Sequence, residues 1–143
     1  MFDSDGDGQQ DAETLFSLAG EYLTAAELLH ATPPTNINYW SVTYFLFGHT
    51  AELLLKSFLC DRGTSISELK KIGHDLEKMI QQARSLGFPP ELLVENLLLL
   101  APTYRDKNFE YRTRRRKSFP DAELLLREIK KINAFVFQQI ARF

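Results

Sequence analysis

A chain of 143 residues with 44% hydrophobic and 25% charged side chains, seven Gly and six Pro excludes the disordered and fibrous classes and sets one core as the expectation. The net charge of −2 hides a division, because residues 104–118 carry a balance of +5 and the remaining chain −7; a local anionic partner is expected there, and general attraction to polyanions is not. A lone Cys60 excludes an intrachain disulfide, and with no apolar run longer than Leu97–Ala101 and no basic leader, the chain is expected to be cytoplasmic, without a membrane span, signal peptide or transit peptide.

Residues 1–10, rich in Gly and Asp with no apolar anchor beyond Phe2, are expected to form a flexible acidic tail, and residues 11–143 the domain. Asp11 can cap a first helix in which Leu15, Leu18, Ala19, Tyr22, Leu23, Ala26 and Leu29 recur at steps of three and four, ending before Pro33–Pro34. A second helix begins at Asn36 or Asn38 and runs to Gly63; Phe47, Ala51, Leu54, Leu55 and Phe58 make its apolar face wide enough for a central element. Residues 65–72 allow one or two helical turns, and a third helix from Asp75 to Leu86 stops at Gly87. Pro89–Pro90 reads as the start of a fourth helix from Glu91 to about Leu100, apolar nearly all round and weakened by Pro102. Pro120–Asp121 opens a fifth through Leu125, Ile129, Ile132 and Val136 to the C-terminus. No run alternates with period two, so the expected fold is all-α, an up-and-down helical bundle of about five helices. Its expected core includes Phe47, Ala51, Leu55, Leu76, Leu97, Leu98, Leu125, Ile129 and Ile132, with Trp40, Tyr44, Phe135 and Phe137 left to supply an aromatic dimer surface.

Few residues carry recognisable chemistry. Asp3–Gly8 matches the opening of an EF-hand calcium loop, but counting from Asp3 the twelfth position is Thr14 where a bidentate Glu is needed, so a solvated tail is the better reading. His30, His49 and His74 are scattered over separate elements and form no metal-binding pair, so neither a metal nor a cofactor is expected. His49, Glu52 and Lys56, at steps of three and four, share one stripe of the second helix, and Asp75 can cap the third or face the same cleft. In residues 104–117, Arg105, Arg112, Arg114, Arg115, Arg116 and Lys117 interleave with Tyr104, Phe109 and Tyr111. Guanidinium forks suit phosphate oxygens and aromatic rings suit bases, so the stretch fits a nucleotide or single-stranded RNA; a solvated connector is the alternative.

Three stretches taken in order carry a family resemblance: Tyr44 to Lys56 (YFLFGHTAELLLK), Gly73 to Lys78 (GHDLEK), and Phe109 to Arg112 (FEYR) with Phe119–Pro120–Asp121 ahead of the final helix. The chain over about residues 11–140 resembles the HEPN domains (higher eukaryotes and prokaryotes nucleotide-binding). These are small helical bundles whose second helix has an Ala-x-Glu-x-x-x-Lys pattern, here Ala51, Glu52 and Lys56, and whose third starts with His-Asp-Leu, here His74, Asp75 and Leu76. The family includes metal-independent RNases of toxin–antitoxin, phage-defence and RNA-processing systems, and inactive members that bind nucleotides or dimerise. Its RNases carry an Arg followed a few residues later by a His in a late helix; here the last histidine is His74, so Arg105 and Arg112 precede none.

The resemblance therefore implies a non-catalytic homodimer that binds a nucleotide or RNA through Arg105, Tyr111, Arg112, Arg114, Arg115, Arg116 and Lys117, with Glu52, Lys56 and Asp75 near the cleft. An unusual RNase, with His49, His74 and Arg112 as its catalytic candidates, is the enzymatic alternative. A protein-interaction module paired with a nucleotidyltransferase-type partner is the third.

Overall fold

The computed structural model describes residues 11–32, 40–106 and 119–141. They form six helices: α1 (Ala12–Ala31), α2 (Trp40–Asp61), α3 (Ile66–Ile72), α4 (Leu76–Ser85), α5 (Glu95–Arg105) and α6 (Ala122–Ile140). No strand occurs among the described residues. The protein is an all-α bundle, with six helices where about five are expected from sequence. The extra one is α3, whose seven residues hold together through a reciprocal cap: the Ser65 hydroxyl accepts from the Glu68 N–H, and the Glu68 carboxylate accepts from the Ser65 N–H.

Local signals set most helix ends. Carboxylates of Asp11, Asp75 and Asp121 accept from the backbone N–H groups of Thr14, Lys78 and Leu124 at 2.7, 3.1 and 3.1 Å, satisfying donors that a helix start leaves free. At the end of α2, Gly63 takes φ +101° and the Thr64 N–H reaches back to the Leu59 carbonyl, a left-handed closure that a side chain would strain.

α5 departs from expectation at both ends. Residues 89–94 form turns rather than a helix, because the Arg84 guanidinium donates to the carbonyls of Pro89 and Leu92 at 2.7 and 3.0 Å and holds the strand of chain in a loop. The helix starts at Glu95 without a side-chain cap of its own; instead Glu128 of α6 accepts from the N–H groups of Asn96 and Leu97, each at 3.0 Å. Pro102 does not end it. The ring lies on the exposed side, where a missing amide donor costs little, and the helix continues to Arg105.

α2 is the central shaft and packs against all five other helices. Phe47, Ala51, Leu55, Leu76, Leu97, Leu125, Ile129 and Ile132 are fully buried, as their spacing requires. Leu98 is not part of the core: it is 39% exposed and Leu99 56%, so α5 has one buried side and one open side rather than burial all round. The expected aromatic dimer surface also dissolves. Phe135 packs with Phe58 and Phe88 at ring distances of 5.4 and 5.5 Å, and Tyr44 packs with Phe119 at 5.0 Å, so both belong to the bundle. Phe137 is exposed and Trp40 has no described side chain. No helix among the described residues is long and apolar enough to cross a membrane.

Candidate functional site

The helical period of α2 sets His49, Glu52 and Lys56 on one stripe, and the bundle closes over it. Glu52 is only 4% exposed. A carboxylate removed from water costs several kcal/mol unless its oxygens are matched by donors. They are matched here from three helices or their ends. Oε1 accepts from the Tyr104 hydroxyl at 2.5 Å and from His74 Nδ1 at 2.8 Å, and Oε2 accepts from Lys56 Nζ at 2.9 Å. Burial alone would raise the Glu52 carboxyl, but the hydrogen bonds from Tyr104, His74 and Lys56 outweigh it and hold the group below the ordinary carboxylate range. Glu52 is therefore a buried anion.

Tyr104 reaches Glu52 because of Gly48. A Cβ at position 48 would stand 2.4 Å from Tyr104 Cδ1 and 2.8 Å from Cε1, so only glycine lets the ring lie flat against α2. The phenol is pushed far above its ordinary range by burial and then by the Glu52 charge, so it stays protonated and donating. With its one proton committed to Glu52, the Tyr104 oxygen must accept from His49 Nδ1, 3.1 Å away.

That assignment fixes the state of His49. Desolvation first, with His74 and Lys56 adding to it against the pull of Glu52, lowers the imidazole below its ordinary value, so the neutral ring carries its proton on Nδ1. Nε2 keeps its lone pair. The ring stacks on Phe45 at 5.7 Å and meets the edge of Tyr22 at 4.5 Å, and its side chain is 22% exposed. His74, directly ahead of the α4 cap, is more open, at 44%. On the Lys56 side, a groove of about 150 Å³ is lined by Leu15, Leu53, Ile66 and Leu69 together with Glu52 and Lys56.

Of the residues singled out from sequence, His49, Glu52, Lys56 and His74 come together around one carboxylate. Asp75 lies next to the cluster, where its carboxylate caps α4. Arg105 is exposed at the end of α5, with Nε donating to Asp106 at 3.2 Å. Tyr111, Arg112, Arg114, Arg115, Arg116 and Lys117 lie outside the described residues. Tyr104 and Gly48 are the members that sequence reasoning missed; Tyr104, read there as a base-stacking ring of the basic stretch, is an inward-facing member of α5. Among the described residues no three His, Cys, Asp or Glu side chains are arranged to hold a metal ion.

Comparison of the chain with family models, with curated proteins and with solved structures finds no match in any of the three.

Proposed function

We propose that this chain is a non-catalytic, HEPN-like domain that binds the phosphates of a nucleotide or of RNA through its basic stretch, working as a cytoplasmic homodimer. The observation that supports the reading is where that stretch is rooted. Ahead of it, the Tyr104 ring rests on Gly48; after it, Phe119 packs on Tyr44, and the Tyr44 hydroxyl donates to the Pro120 carbonyl at 2.6 Å. Tyr44 and Gly48 are one turn apart on α2. Both described flanks, Tyr104 and Phe119–Pro120, thus pack on the part of α2 that carries His49, and the sequence between them, residues 107–118, holds six cations against one acid. Guanidinium and ammonium groups concentrated in one stretch of sequence are what phosphate recognition uses.

The test is titration of a labelled single-stranded RNA, and of ATP, into wild type and into a variant with Arg112, Arg114, Arg115 and Arg116 changed to Ala. The expected outcome is wild-type binding that weakens with salt and is lost in the variant without a change in helicity or melting. Equal binding by both, or no wild-type binding at low salt, would replace this reading with the interaction module.

One observation favours a second reading, an RNase that works without the family's Arg–His pair. The Nδ1 atoms of His49 and His74 stand 3.9 and 2.8 Å from the same Glu52 oxygen. Two imidazoles beside one carboxylate, His74 bonded to it directly and His49 through the Tyr104 hydroxyl with its Nε2 lone pair free, form an arrangement that proton transfer near neutral pH can use.

A further inference from the structure

α5 has a second face that the bundle does not use. Leu97, Leu100, Ala101 and Tyr104 turn inward, and Glu95, Leu98, Leu99, Pro102 and Arg105 are all exposed. At ~100° per residue those five lie within one outward arc, so Leu98, Leu99 and Pro102 form a continuous apolar stripe along the helix. The stripe is bounded by opposite charges. Glu95 begins the helix, Arg105 ends it, and the two stand equally far in sequence from its middle residue, Leu100.

We propose that this face docks on the same face of a second copy of the chain, with the two α5 helices antiparallel about a twofold axis at mid-helix. An antiparallel copy sets Glu95 against the partner's Arg105 at both ends at once and lays Leu98 over the partner's Pro102, with Leu99 between. A parallel copy would oppose like charges. Twofold interfaces need this kind of self-complementarity, and a sequence-symmetric pair of unlike charges around an apolar centre supplies it. Asp106 engages Nε of Arg105, and no described residue takes the two terminal guanidinium nitrogens, which form the edge that grips a carboxylate. The proposal gives the homodimer named above a specific surface and rests on that part of the reading alone, because nothing in the contact involves nucleic acid.

The experiment is sedimentation equilibrium of the full chain without RNA, with helicity followed by circular dichroism. Wild type is expected to dimerise. Leu99→Asp, Glu95→Arg and Arg105→Glu should each weaken the dimer by about tenfold or more, and the combined variant E95R/R105E should recover to within about threefold of wild type. All three positions are exposed, so helicity should be unchanged. Wild type that stays monomeric at high concentration would overturn the proposal. A double variant as weak as the folded single ones, or Leu99→Asp dimerising like wild type, would overturn the pairing of faces. RNA binding, measured separately, is unaffected by either failure.

Discussion

The phenolic hydroxyl of Tyr104 donates a 2.5 Å hydrogen bond to Oε1 of Glu52 across 52 positions of sequence. The bond ties the end of α5 to the middle of α2, and it also decides the protonation of a third residue, since the same oxygen accepts from His49. Burial of Glu52 as an anion is tolerated only because Tyr104, His74 and Lys56 answer it together. Removing one donor should therefore be felt by the others.

Tyr104→Phe should lower stability by ~1–3 kcal/mol, the cost of a buried acceptor that loses a donor. Gly48→Ala should cost ~1–3 kcal/mol by a different route, because the new methyl meets a buried ring that has little freedom to retreat. The two effects are linked by geometry. In a Tyr104→Ala background the obstacle is gone, and Gly48→Ala should become neutral or stabilise by up to ~1 kcal/mol through helix propensity. Chemical denaturation of the four proteins checks the cycle; a Gly48→Ala penalty that persists without the ring would show that the close approach is not its cause.

Stability should fall on acidification in two windows. His49 and Glu52 are both depressed in the folded protein, so in each case the unfolded chain binds the proton first and stability rises with pH. The His49 contribution is present above its ordinary value of 6.5 and is lost as pH falls through the folded value. That of Glu52 is present above 4.5 and is lost at lower pH still. The capping carboxylates of Asp11 and Glu68 are depressed as well and share the lower window. Melting curves from pH 8 to 3 should show both declines (~8 to 3 spans the two reference values), with His49→Gln flattening the upper one and Glu52→Gln reducing the lower. An unchanged upper decline in His49→Gln would assign it to another group.

Much of this architecture is legible in the sequence because its signals are local. Asp11 caps the helix its position predicts, Asp75 takes the capping role that is one of its two readings, Asp121 caps the helix that Pro120–Asp121 opens, and the three-and-four spacing of Phe47, Ala51 and Leu55 finds the buried side of α2. The stripe of His49, Glu52 and Lys56 is local too. α5 defeats the same reasoning, because its start depends on Glu128, 32 positions from Asn96, and on Arg84 holding the preceding turns. Pro102, taken as a weak point, hides that the period continues: Leu97, Leu100, Ala101 and Tyr104 are one inward face. Reading the helix as ending near Leu100 and weakened by Pro102 assigns Tyr104 to the basic stretch and removes it from the site. Four consecutive leucines, Leu97 to Leu100, likewise conceal that two of them face outward.

Glu128→Ala should destabilise by ~1–2 kcal/mol, since it removes the only described side-chain cap of α5. Glu128→Gln keeps one accepting oxygen and should cost less. Hydrogen exchange gives the sharper readout: the amides of Asn96 and Leu97 should lose protection in Glu128→Ala before the rest of the bundle does. Protection that is unchanged at both would mean another group satisfies them.

The two neighbouring leucines offer a direct contrast. Leu97→Ala should cost ~2–5 kcal/mol, the range for a fully buried leucine that leaves a cavity. Leu98→Ala should change the stability of the monomer by no more than ~0.5 kcal/mol, as expected for an exposed position. Equal losses at the two positions, measured at concentrations low enough to suppress association, would place Leu98 inside.

Binding and catalysis separate on the histidines. If residues 107–118 hold RNA by its phosphates, each arginine that neutralises one releases counterions, and removing Arg112, Arg114, Arg115 and Arg116 should reduce the slope of log affinity against log salt by up to ~3. His49→Ala and His74→Ala should leave that slope and the affinity largely intact, because neither imidazole is needed to attract a phosphate backbone. Purified protein, freed of metal, should show no turnover of single-stranded RNA. Cleavage that disappears with either histidine and survives chelation would overturn the binding-only reading and install the two-histidine RNase, with His49 Nε2 as the proton acceptor that its Nδ1 contact to Tyr104 leaves available. Cleavage that survives both substitutions would instead mark a contaminating nuclease, since no third histidine lies near Glu52: His30 is paired with Glu123 at 2.6 Å on the far ends of α1 and α6.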